Sequence, residues 1–311
     1  MLVLVAPGQG AQKPGFLIPW LDLPGVTERL REWSASIDLD LIHYGTEAGA
    51  EEIRDTAVAQ PLLVAAALVS TGALLEERDP RHVLGATAGH SVGELAAAVT
   101  AGVFTPETAM SLVRTRGAAM AEAAGVTETG MAAVLGGEQK VVIAHLEGLG
   151  LTAANINGAG QIVAAGTAEQ LEALAADRPE GSRVIPLKVA GAFHTRHMAP
   201  AVETLEAAVE DVTVSDPVVR YVSNSDGETV ASGAEVVRRL VGQVANPVRW
   251  DLCMETFQTL GVTALIEVCP GGTLTGLAKR ALPGVRTLAL KSTDDLDAAR
   301  ALVAEYASTA G

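Results

Sequence analysis

Residues 83–99 read VLGATAGHSVGELAAAV, and this stretch decides the fold. The apolar run 83–88 is typical of a buried strand, and the alanine-rich run 92–99 is typical of a helix. Between them, Gly89 to Gly93 form the pattern G-x-S-x-G, which indicates a sharp strand-to-helix turn with a strained serine. We therefore expect the hydroxyl of Ser91 to stand at the end of a sheet, beside the free N–H groups of a helix start, as in serine enzymes of acyl transfer.

The segments around this turn predict a parallel sheet covered by helices. Apolar residues 2–6 form a first strand, residues 60–77 form a long helix, and Thr105 caps a helix that runs to about Ala123. The same alternation resumes after residue 191. Strands that alternate with helices are typical of parallel sheets, so the predicted fold class is α/β.

Residues 126–190 show a different order of elements. They predict strand, helix, strand, strand, helix and strand, at 131–135, 139–146, 151–157, 161–165, 168–176 and 182–189. This order is typical of a ferredoxin-like unit. We therefore expect a discontinuous large domain, 1–125 and 191–311, with a ferredoxin-like subdomain inserted at 126–190 and a functional cleft between the two.

The composition narrows the class of protein. The net charge of −15 argues against nucleic-acid binding, which needs a basic surface. Cys253 and Cys269 have no C-x-x-C spacing and no nearby histidine pair, so we expect neither a disulfide nor a metal site. The apolar run 2–6 is too short for a signal peptide, and longer apolar runs contain glycine, serine or charges. We expect no membrane span and a cytoplasmic location.

A serine nucleophile needs a base, and His194 is the best candidate. It follows the last strand of the insert, where the chain returns to the large domain. His90 is adjacent to Ser91 and should point away from it, and His197 is expected on the outer face of the next helix. The acids between 91 and 194, Glu94 among them, offer no obvious third member, because most should be solvated. A Ser–His dyad with an imidazole oriented by the main chain is therefore as plausible as a triad.

Arg116 falls on the apolar face of its helix. That face consists of Ala109, Leu112, Val113, Ala119 and Met120. A buried guanidinium must be paired, and its planar fork suits a carboxylate. Two interpretations stay open: an internal ion pair, or a substrate that carries a carboxylate.

A glycine-rich loop, PGQGAQ at 7–12, follows the first strand. It lacks the GK[ST] of a P-loop and the full G-x-G-x-x-G spacing, so it is a weak nucleotide signal. A loop of this kind can bring a backbone N–H to an oxyanion.

Together these segments resemble the malonyl-CoA:acyl carrier protein transacylases of fatty-acid synthesis and the related acyltransferase domains of polyketide synthases. The resemblance covers essentially the whole chain. It rests on PGQGAQ at 7–12, GHSVGE at 89–94, RGAAM at 116–120, NIN at 155–157, QIVAAG at 161–166, GAFH at 191–194, and Gln243 with PVRW at 247–250.

The resemblance implies a role for each residue of the site. Ser91 would be acylated and His194 would be the base, while Arg116 would hold the free carboxylate of malonate. The main-chain N–H groups of Gln9 and Val92 would form the oxyanion hole. The implied fold is an α/β-hydrolase-like large domain with the ferredoxin-like insert.

Further residues are implied in substrate binding and orientation. Gln243 would orient His194 through its main-chain carbonyl, and it would contact substrate together with Gln9, Asn155 and Phe193. In related enzymes a Phe before the histidine goes with malonyl rather than methylmalonyl, because the ring leaves no room for a methyl group. The chain departs from the family pattern at Ala6, where many free-standing members have an aromatic residue, and at Gly191, where polyketide malonyl enzymes have His.

The implied reaction is ping-pong transfer of malonyl from malonyl-CoA to the phosphopantetheine thiol of holo-acyl carrier protein. It would need no bound cofactor and no metal, and we expect a free-standing monomer. Carrier proteins are usually acidic, as this chain is, so a local basic patch should receive the partner. The candidates are Lys188, Arg196, Lys279 and Arg280.

Three alternatives stay open. The first is a serine esterase or thioesterase, which would need a water path and no Arg116. The second is an acyltransferase that serves a polyketide synthase carrier protein. The third is a non-catalytic scaffold that binds carrier protein, and intact Ser91, His194 and Arg116 argue against it.

Overall fold

The fold consists of two β-sheets with helices packed around them, and the first strand lies buried inside the larger sheet. The computed structural model describes residues 1–189 and 191–307. The strands are β1 (Leu2–Ala6), β2 (Ala86–Gly89), β3 (Thr129–Gly136), β4 (Thr152–Gly158), β5 (Gln161–Thr167), β6 (Ser182–Pro186), β7 (Tyr221–Val222), β8 (Thr229–Val230), β9 (Val248–Arg249), β10 (Ala264–Glu267) and β11 (Arg286–Ala289). The helices are α1 (Val26–Ile37), α2 (Leu41–Thr46), α3 (Thr56–Leu75), α4 (Gly93–Thr100), α5 (Pro106–Ala124), α6 (Gln139–Gly148), α7 (Ala168–Ala176), α8 (Ala199–Val209), α9 (Gly233–Gln243), α10 (Trp250–Thr259), α11 (Thr273–Ala281) and α12 (Leu296–Ala307).

The larger sheet has the strand order β11-β10-β1-β2-β7-β8. Neighbouring strands run parallel except for the β7–β8 pair at one edge. Ala6 at the end of β1 is in register with Gly89 at the end of β2. The loop after β1 and the turn after β2 therefore leave the sheet side by side, at its carboxyl edge, where open α/β sheets place their sites. The predicted α/β class is confirmed.

The long helix α3 packs inside the large domain. Asp55 caps its first turn by accepting the N–H of Ala57 at 2.8 Å, and Pro61 is accommodated within its 20 residues. By length and composition it is the one helix in the described residues that could cross a membrane, and 78% of its most apolar window is buried. Burial in the protein core accounts for this apolar character, because α3 contacts α5 and α4 along the sheet.

The smaller sheet has the strand order β6-β3-β5-β4-β9. The four strands β3 to β6 pair antiparallel, and α6 and α7 join them in the predicted order. One face packs on α6 and α7, and the other contributes Met131, Ala154 and Val163 to a cluster with the α5 residues Ala119 and Met120. The small sheet is therefore packed against the large domain.

Several features differ from the sequence-based expectations. The small sheet has a fifth strand, β9, which lies outside the predicted range 126–190 and pairs in parallel with β4. Two residues carry no periodicity, so the sequence did not indicate this strand. The helices α1 and α2 were also not predicted, although Leu30, Trp33 and Ile37 bury one face of α1. Ala190, the predicted last residue of the insert, lies outside the described residues.

Candidate active site

The turn between β2 and α4 holds Ser91 in a strained conformation. Its φ is 53°, in the left-handed region that non-glycine residues seldom adopt. A Cβ at Gly89 would lie 2.0 Å from the carbonyl carbon of Gly93, and a Cβ at Gly93 would lie 2.3 Å from the carbonyl oxygen of Ala6. Both positions therefore need glycine because main chain passes against main chain there.

Ser91 and His194 form a hydrogen-bonded pair. The Oγ of Ser91 lies 2.7 Å from Nε2 of His194, and Nδ1 of His194 lies 2.8 Å from the main-chain oxygen of Gln243. A carbonyl oxygen can only accept, so Nδ1 carries the proton and Nε2 is free to accept the hydroxyl proton of Ser91. The main-chain N–H of His194 is fixed as well, because it donates to the oxygen of Val244 at 3.0 Å.

The surroundings keep the imidazole of His194 neutral. Its side chain is buried, and burial lowers the pKa of His194 to about 3, with the positive charge of Arg116 acting in the same direction. The hydrogen bond to the Gln243 carbonyl raises the pKa but does not offset these effects. The group therefore enters a reaction as a neutral base near pH 7.

Arg116 reaches Ser91 from the interior. It is 3% exposed, and its Nη2 donates to the Oγ of Ser91 at 3.3 Å. The same Nη2 donates to Oε1 of Gln243 at 2.6 Å, and Nη1 donates to Oε1 of Gln60 at 2.6 Å. These three partners are neutral oxygens, so the guanidinium is held in place by groups that do not cancel its charge. Burial lowers the pKa of Arg116 to about 10, which leaves it charged.

Gln243 is hydrogen-bonded to Ser91, to His194 and to Arg116. Its side-chain nitrogen donates to the main-chain oxygen of Ser91 at 3.0 Å and to Oδ1 of Asn224 at 3.2 Å. The same nitrogen donates to a carboxylate oxygen of Glu94. Its side-chain oxygen accepts from Arg116, and its main-chain oxygen accepts from His194. Gln243 is thus hydrogen-bonded to five residues: Ser91, Glu94, Arg116, His194 and Asn224.

Glu94 is a buried carboxylate directly beneath the turn. Its side chain is 0% exposed, and its Oε1 accepts the main-chain N–H of Asn224 at 2.7 Å. The side chain of Asn224 in turn donates to the oxygen of Gly89 at 2.7 Å. Burial raises the pKa of Glu94 to about 7, although the hydrogen bond from Asn224 and the charge of Arg116 lower it.

Two main-chain N–H groups are free to bind an oxyanion. Gln9 follows β1 and Val92 follows Ser91 at the start of α4, and both line the same cavity. In the described part of the chain, neither N–H donates to another protein group. The side chain of Gln9 is tied back, because its amide donates to Oγ1 of Thr56 at 3.1 Å.

A cavity of about 260 Å³ opens above Ser91, between the two sheets. From the large domain it is lined by Gln9, Ser91, Val92, Phe193 and His194, and from the small sheet by Asn155, Asn157 and Gln161. Six of the eight predicted site residues therefore lie on one cavity. The other two, Arg116 and Gln243, are not among the residues that line it, and they contact Ser91 from below.

His90 has a role that the sequence did not suggest. Its Nε2 donates to Oδ1 of Asn157 at 2.8 Å, and this contact ties the turn to the small sheet. The ring also packs against Trp250, and the imidazole hydrogen-bonded to the Oγ of Ser91 is that of His194. Burial lowers the pKa of His90, so the ring is neutral.

Gln60, Asn224 and Glu94 were missed as members of the site. Of the three, Glu94 could most readily have been predicted from the sequence. It stands three residues after Ser91, in the first turn of a helix that is apolar on nearly every side. A carboxylate there has to be buried. Gln60 and Asn224 come from distant segments, and their proximity to Ser91 is a result of the fold.

The site can also be compared with known proteins. The chain matches the family model described as "Acyl transferase domain" over residues 3–302. A Mycobacterium tuberculosis protein named malonyl CoA-acyl carrier protein transacylase is 50% identical over 301 residues, which cover 96% of this chain and 98% of that protein.

Solved structures give the same result. The crystal structure of MCAT from Mycobacterium tuberculosis superimposes with a TM-score of 0.93 at 50% identity, covering 96% of this chain and 99% of that chain. A malonyl-transacylase solved in complex with its type II PKS acyl-carrier protein is 30% identical, with a TM-score of 0.89 and coverage of 97% and 99%. The chain therefore belongs to the acyl transferase family and, within it, to the malonyl CoA-acyl carrier protein transacylases.

Proposed function

We propose that this enzyme transfers the malonyl group from malonyl-CoA to the phosphopantetheine thiol of holo-acyl carrier protein through an ester on Ser91. One observation carries the proposal: the Oγ of Ser91 contacts both Nε2 of His194 at 2.7 Å and Nη2 of Arg116 at 3.3 Å. The nucleophile thus has a base on one side and a fixed positive charge on the other. An acyl group that carries its own carboxylate fits that arrangement.

In the first half-reaction, the Oγ of Ser91 attacks the thioester carbon and its proton passes to Nε2 of His194. The carbonyl oxygen becomes an oxyanion, which the N–H groups of Gln9 and Val92 stabilise. When the carbon–sulfur bond breaks, His194 returns the proton to the sulfur and CoA leaves as its thiol. In the second half-reaction the carrier's thiol gives its proton to Nε2 of His194 and its sulfur attacks the ester carbon. The bond between that carbon and the Oγ of Ser91 then breaks, and His194 passes the thiol's proton to Ser91.

Arg116 binds the malonyl carboxylate in both half-reactions. Its Nη2 donates to the Oγ of Ser91 in the structure, and the incoming carboxylate replaces that contact. Gln60 and Gln243 keep the guanidinium in position from the other side. Holding the ester by its carboxylate also directs it away from water, so transfer prevails over hydrolysis. Proton transfer alone balances both half-reactions, so the proposal includes no cofactor or metal.

The other residues predicted to contact substrate line the cavity. Phe193 borders it beside His194, where its ring selects malonyl over methylmalonyl, and Asn155 faces it from the small sheet. A Cβ at Gly191 would lie 3.0 Å from the ring of Phe193, so glycine at this position lets the ring lie where it does. Gln243 orients the base through its carbonyl, which makes the pair a Ser–His dyad.

The architecture and partner complete the proposal. We propose an α/β-hydrolase-like domain, 1–125 and 191–311, with a ferredoxin-like insert at 126–190, working as a cytoplasmic monomer. The acidic carrier protein would dock at the cavity mouth on a basic patch. Its residues are Lys188, Arg196, Lys279 and Arg280, and all four are exposed. Docking at this patch delivers the phosphopantetheine thiol to Ser91.

The test is a transfer assay with malonyl-CoA in the presence and absence of holo-acyl carrier protein. Mass spectrometry of the carrier measures the malonyl thioester, and a separate assay measures free malonate. We expect malonyl-carrier to form and free malonate to accumulate slowly. Rapid release of malonate without carrier would instead identify a thioesterase.

A further inference from the structure

Glu94 is a fully buried carboxylate that the mechanism above does not use. It is 0% exposed and lies in the first turn of α4. The N–H of Asn224 and the side-chain amide of Gln243 donate to it, and the hydroxyl of Tyr221 lies beside it. Burying a carboxylate is costly unless each oxygen is hydrogen-bonded. Both oxygens of Glu94 are bonded here, and one of the bonds is made to the residue that connects the active site.

The environment of Gln243 allows one orientation of its side-chain amide. The amide nitrogen faces three acceptors, namely the main-chain oxygen of Ser91, Oδ1 of Asn224 and the carboxylate of Glu94. The amide oxygen faces the guanidinium of Arg116 at 2.6 Å. A flipped amide would set its oxygen against three oxygens and its hydrogens against a cation. Glu94 is the charged acceptor of the three, so its hydrogen bond is the strongest.

The negative charge is also separated from Arg116. The side-chain amide of Gln243 lies between them, with its oxygen toward Arg116 and its nitrogen toward Glu94. A carboxylate paired directly with Arg116 would compete with the carboxylate of the substrate. A carboxylate one residue removed supplies the counter-charge that a buried guanidinium needs and leaves its Nη2 available beside Ser91.

We propose that Glu94 is a positioning residue for the charged acyl group: through the side-chain amide of Gln243 it fixes the Arg116 guanidinium beside Ser91 and thereby sets selectivity for carboxylated acyl donors. This inference rests on the proposed function. Glu94 touches neither substrate nor the reacting atoms, and its effect is transmitted through one amide.

The test is the substitution Glu94→Gln, which keeps the size of the side chain and removes the charge. A carboxamide cannot accept from both Asn224 and Gln243, so one hydrogen bond is lost in either orientation. Single-turnover acylation of Ser91 is followed by intact mass with malonyl-CoA and with acetyl-CoA. We expect the malonyl rate to fall about 10- to 100-fold, the range for losing one charge-assisted hydrogen bond. The acetyl rate should change less than about threefold, since acetyl does not contact Arg116.

A matched control separates positioning from a general loss of stability. Ser70→Ala removes a buried hydroxyl that accepts the N–H of Cys269 at 3.0 Å, on the same helix as Gln60 but toward its other end. This variant should be less stable and should keep the wild-type ratio of malonyl to acetyl rates. Glu94→Asp keeps the charge, and it should lose less malonyl selectivity than Glu94→Gln.

Each outcome decides the matter. Equal losses for both acyl groups in Glu94→Gln, or an unchanged malonyl rate, would overturn the inference and leave the proposed function intact. If Glu94→Gln does not fold, Glu94→Asp decides: a malonyl-selective loss supports the inference, and an equal loss for both donors overturns it. If wild-type enzyme forms no malonyl adduct, the proposed function fails, and the inference fails with it.

Discussion

At the residue scale, burial lowers the pKa values of His194 and Arg116, and this leaves the imidazole neutral and the guanidinium charged. Burial lowers the pKa of His194 to about 3, so the imidazole is already a neutral base when substrate arrives. Arg116 is equally buried and stays charged, because even its lowered pKa of about 10 lies well above neutrality. A neutral base and a fixed cation therefore contact the same Oγ of Ser91.

The first prediction concerns Arg116. Arg116→Ala should lower kcat/KM for malonyl-CoA by about 100-fold, the cost of losing charge-assisted bonds to a carboxylate, and should shift selectivity toward uncharged acyl donors. The matched control is Arg114→Ala, two positions away, where the side chain donates to the main-chain oxygen of Ile37 at 3.1 Å. That variant should keep the wild-type donor selectivity. Unchanged malonyl kinetics in Arg116→Ala would contradict this role.

The second prediction is a pH profile. The ionisable groups around Glu94 are Arg116, Tyr221 and Cys253, and burial raises the pKa of both Tyr221 and Cys253 well above neutrality. Glu94, with a pKa of about 7, is the member that titrates near neutral pH: it is ionised above this value and protonated below it. Malonyl acylation should therefore fall as pH drops through about 7, whereas His194 stays neutral down to about 3.

Glu94→Gln distinguishes these two groups. Because a carboxamide imitates the protonated acid, the variant should be slow at every pH and should lack the change near pH 7. If that change persisted in Glu94→Gln, another group would be responsible for it.

At the element scale, the strand–turn–helix around Ser91 was the most predictable part of the molecule. The pattern from Gly89 to Gly93 predicted a sharp turn with a strained serine, and Ser91 has a φ of 53°. The structure adds the reason for both glycines, which is the main chain that passes close to each of them. The helix cap at Thr105 was also predicted, and in the structure the Oγ1 of Thr105 accepts the N–H of Thr108 at 3.2 Å. Short elements such as β9 could not be predicted from the sequence, because two residues form a strand only when a partner strand lies beside them. Gln60 and Asn224 could not be predicted as site residues either, because their roles depend on contacts between segments that are distant in sequence.

The third prediction tests the turn. Gly93→Ala forces a methyl group to within 2.3 Å of the oxygen of Ala6, so it should lower the free energy of unfolding by about 1–3 kcal/mol and displace Ser91. Gly72→Ala is the control: Gly72 is an exposed position inside α3, and a Cβ there meets nothing within 4 Å. That variant should gain roughly 0.5–1 kcal/mol. Equal stability changes in the two variants, measured by chemical denaturation, would argue against the close approach.

At the scale of the whole molecule, the site is assembled between two sheets. Ser91, His194 and Gln9 come from the large domain, while Asn155 and Asn157 come from the small sheet. The alternation of strands and helices predicted the α/β class and the order of the elements from β3 to β6. The sequence could not show how closely they are joined, since the joining contacts are the His90–Asn157 hydrogen bond, the β4–β9 pairing and a shared apolar cluster.

The fourth prediction follows from that shared cluster. Met131 and Val163 of the small sheet pack in one cluster with Met120 and Phe193, so neither part buries its apolar surface alone. Thermal unfolding should therefore be a single cooperative transition, coincident in far-ultraviolet circular dichroism and tryptophan fluorescence. Two separated transitions would show that the sheets are stable independently of each other.

The central claim is that Ser91 carries the malonyl group on its way to a carrier protein. Intact-mass measurement after mixing the enzyme with malonyl-CoA tests this most directly. A single malonyl adduct should appear, should be absent in Ser91→Ala, and should be discharged by holo-acyl carrier protein but not by the apo form. A wild-type enzyme that stays unmodified, or an adduct that persists in Ser91→Ala, would contradict the account.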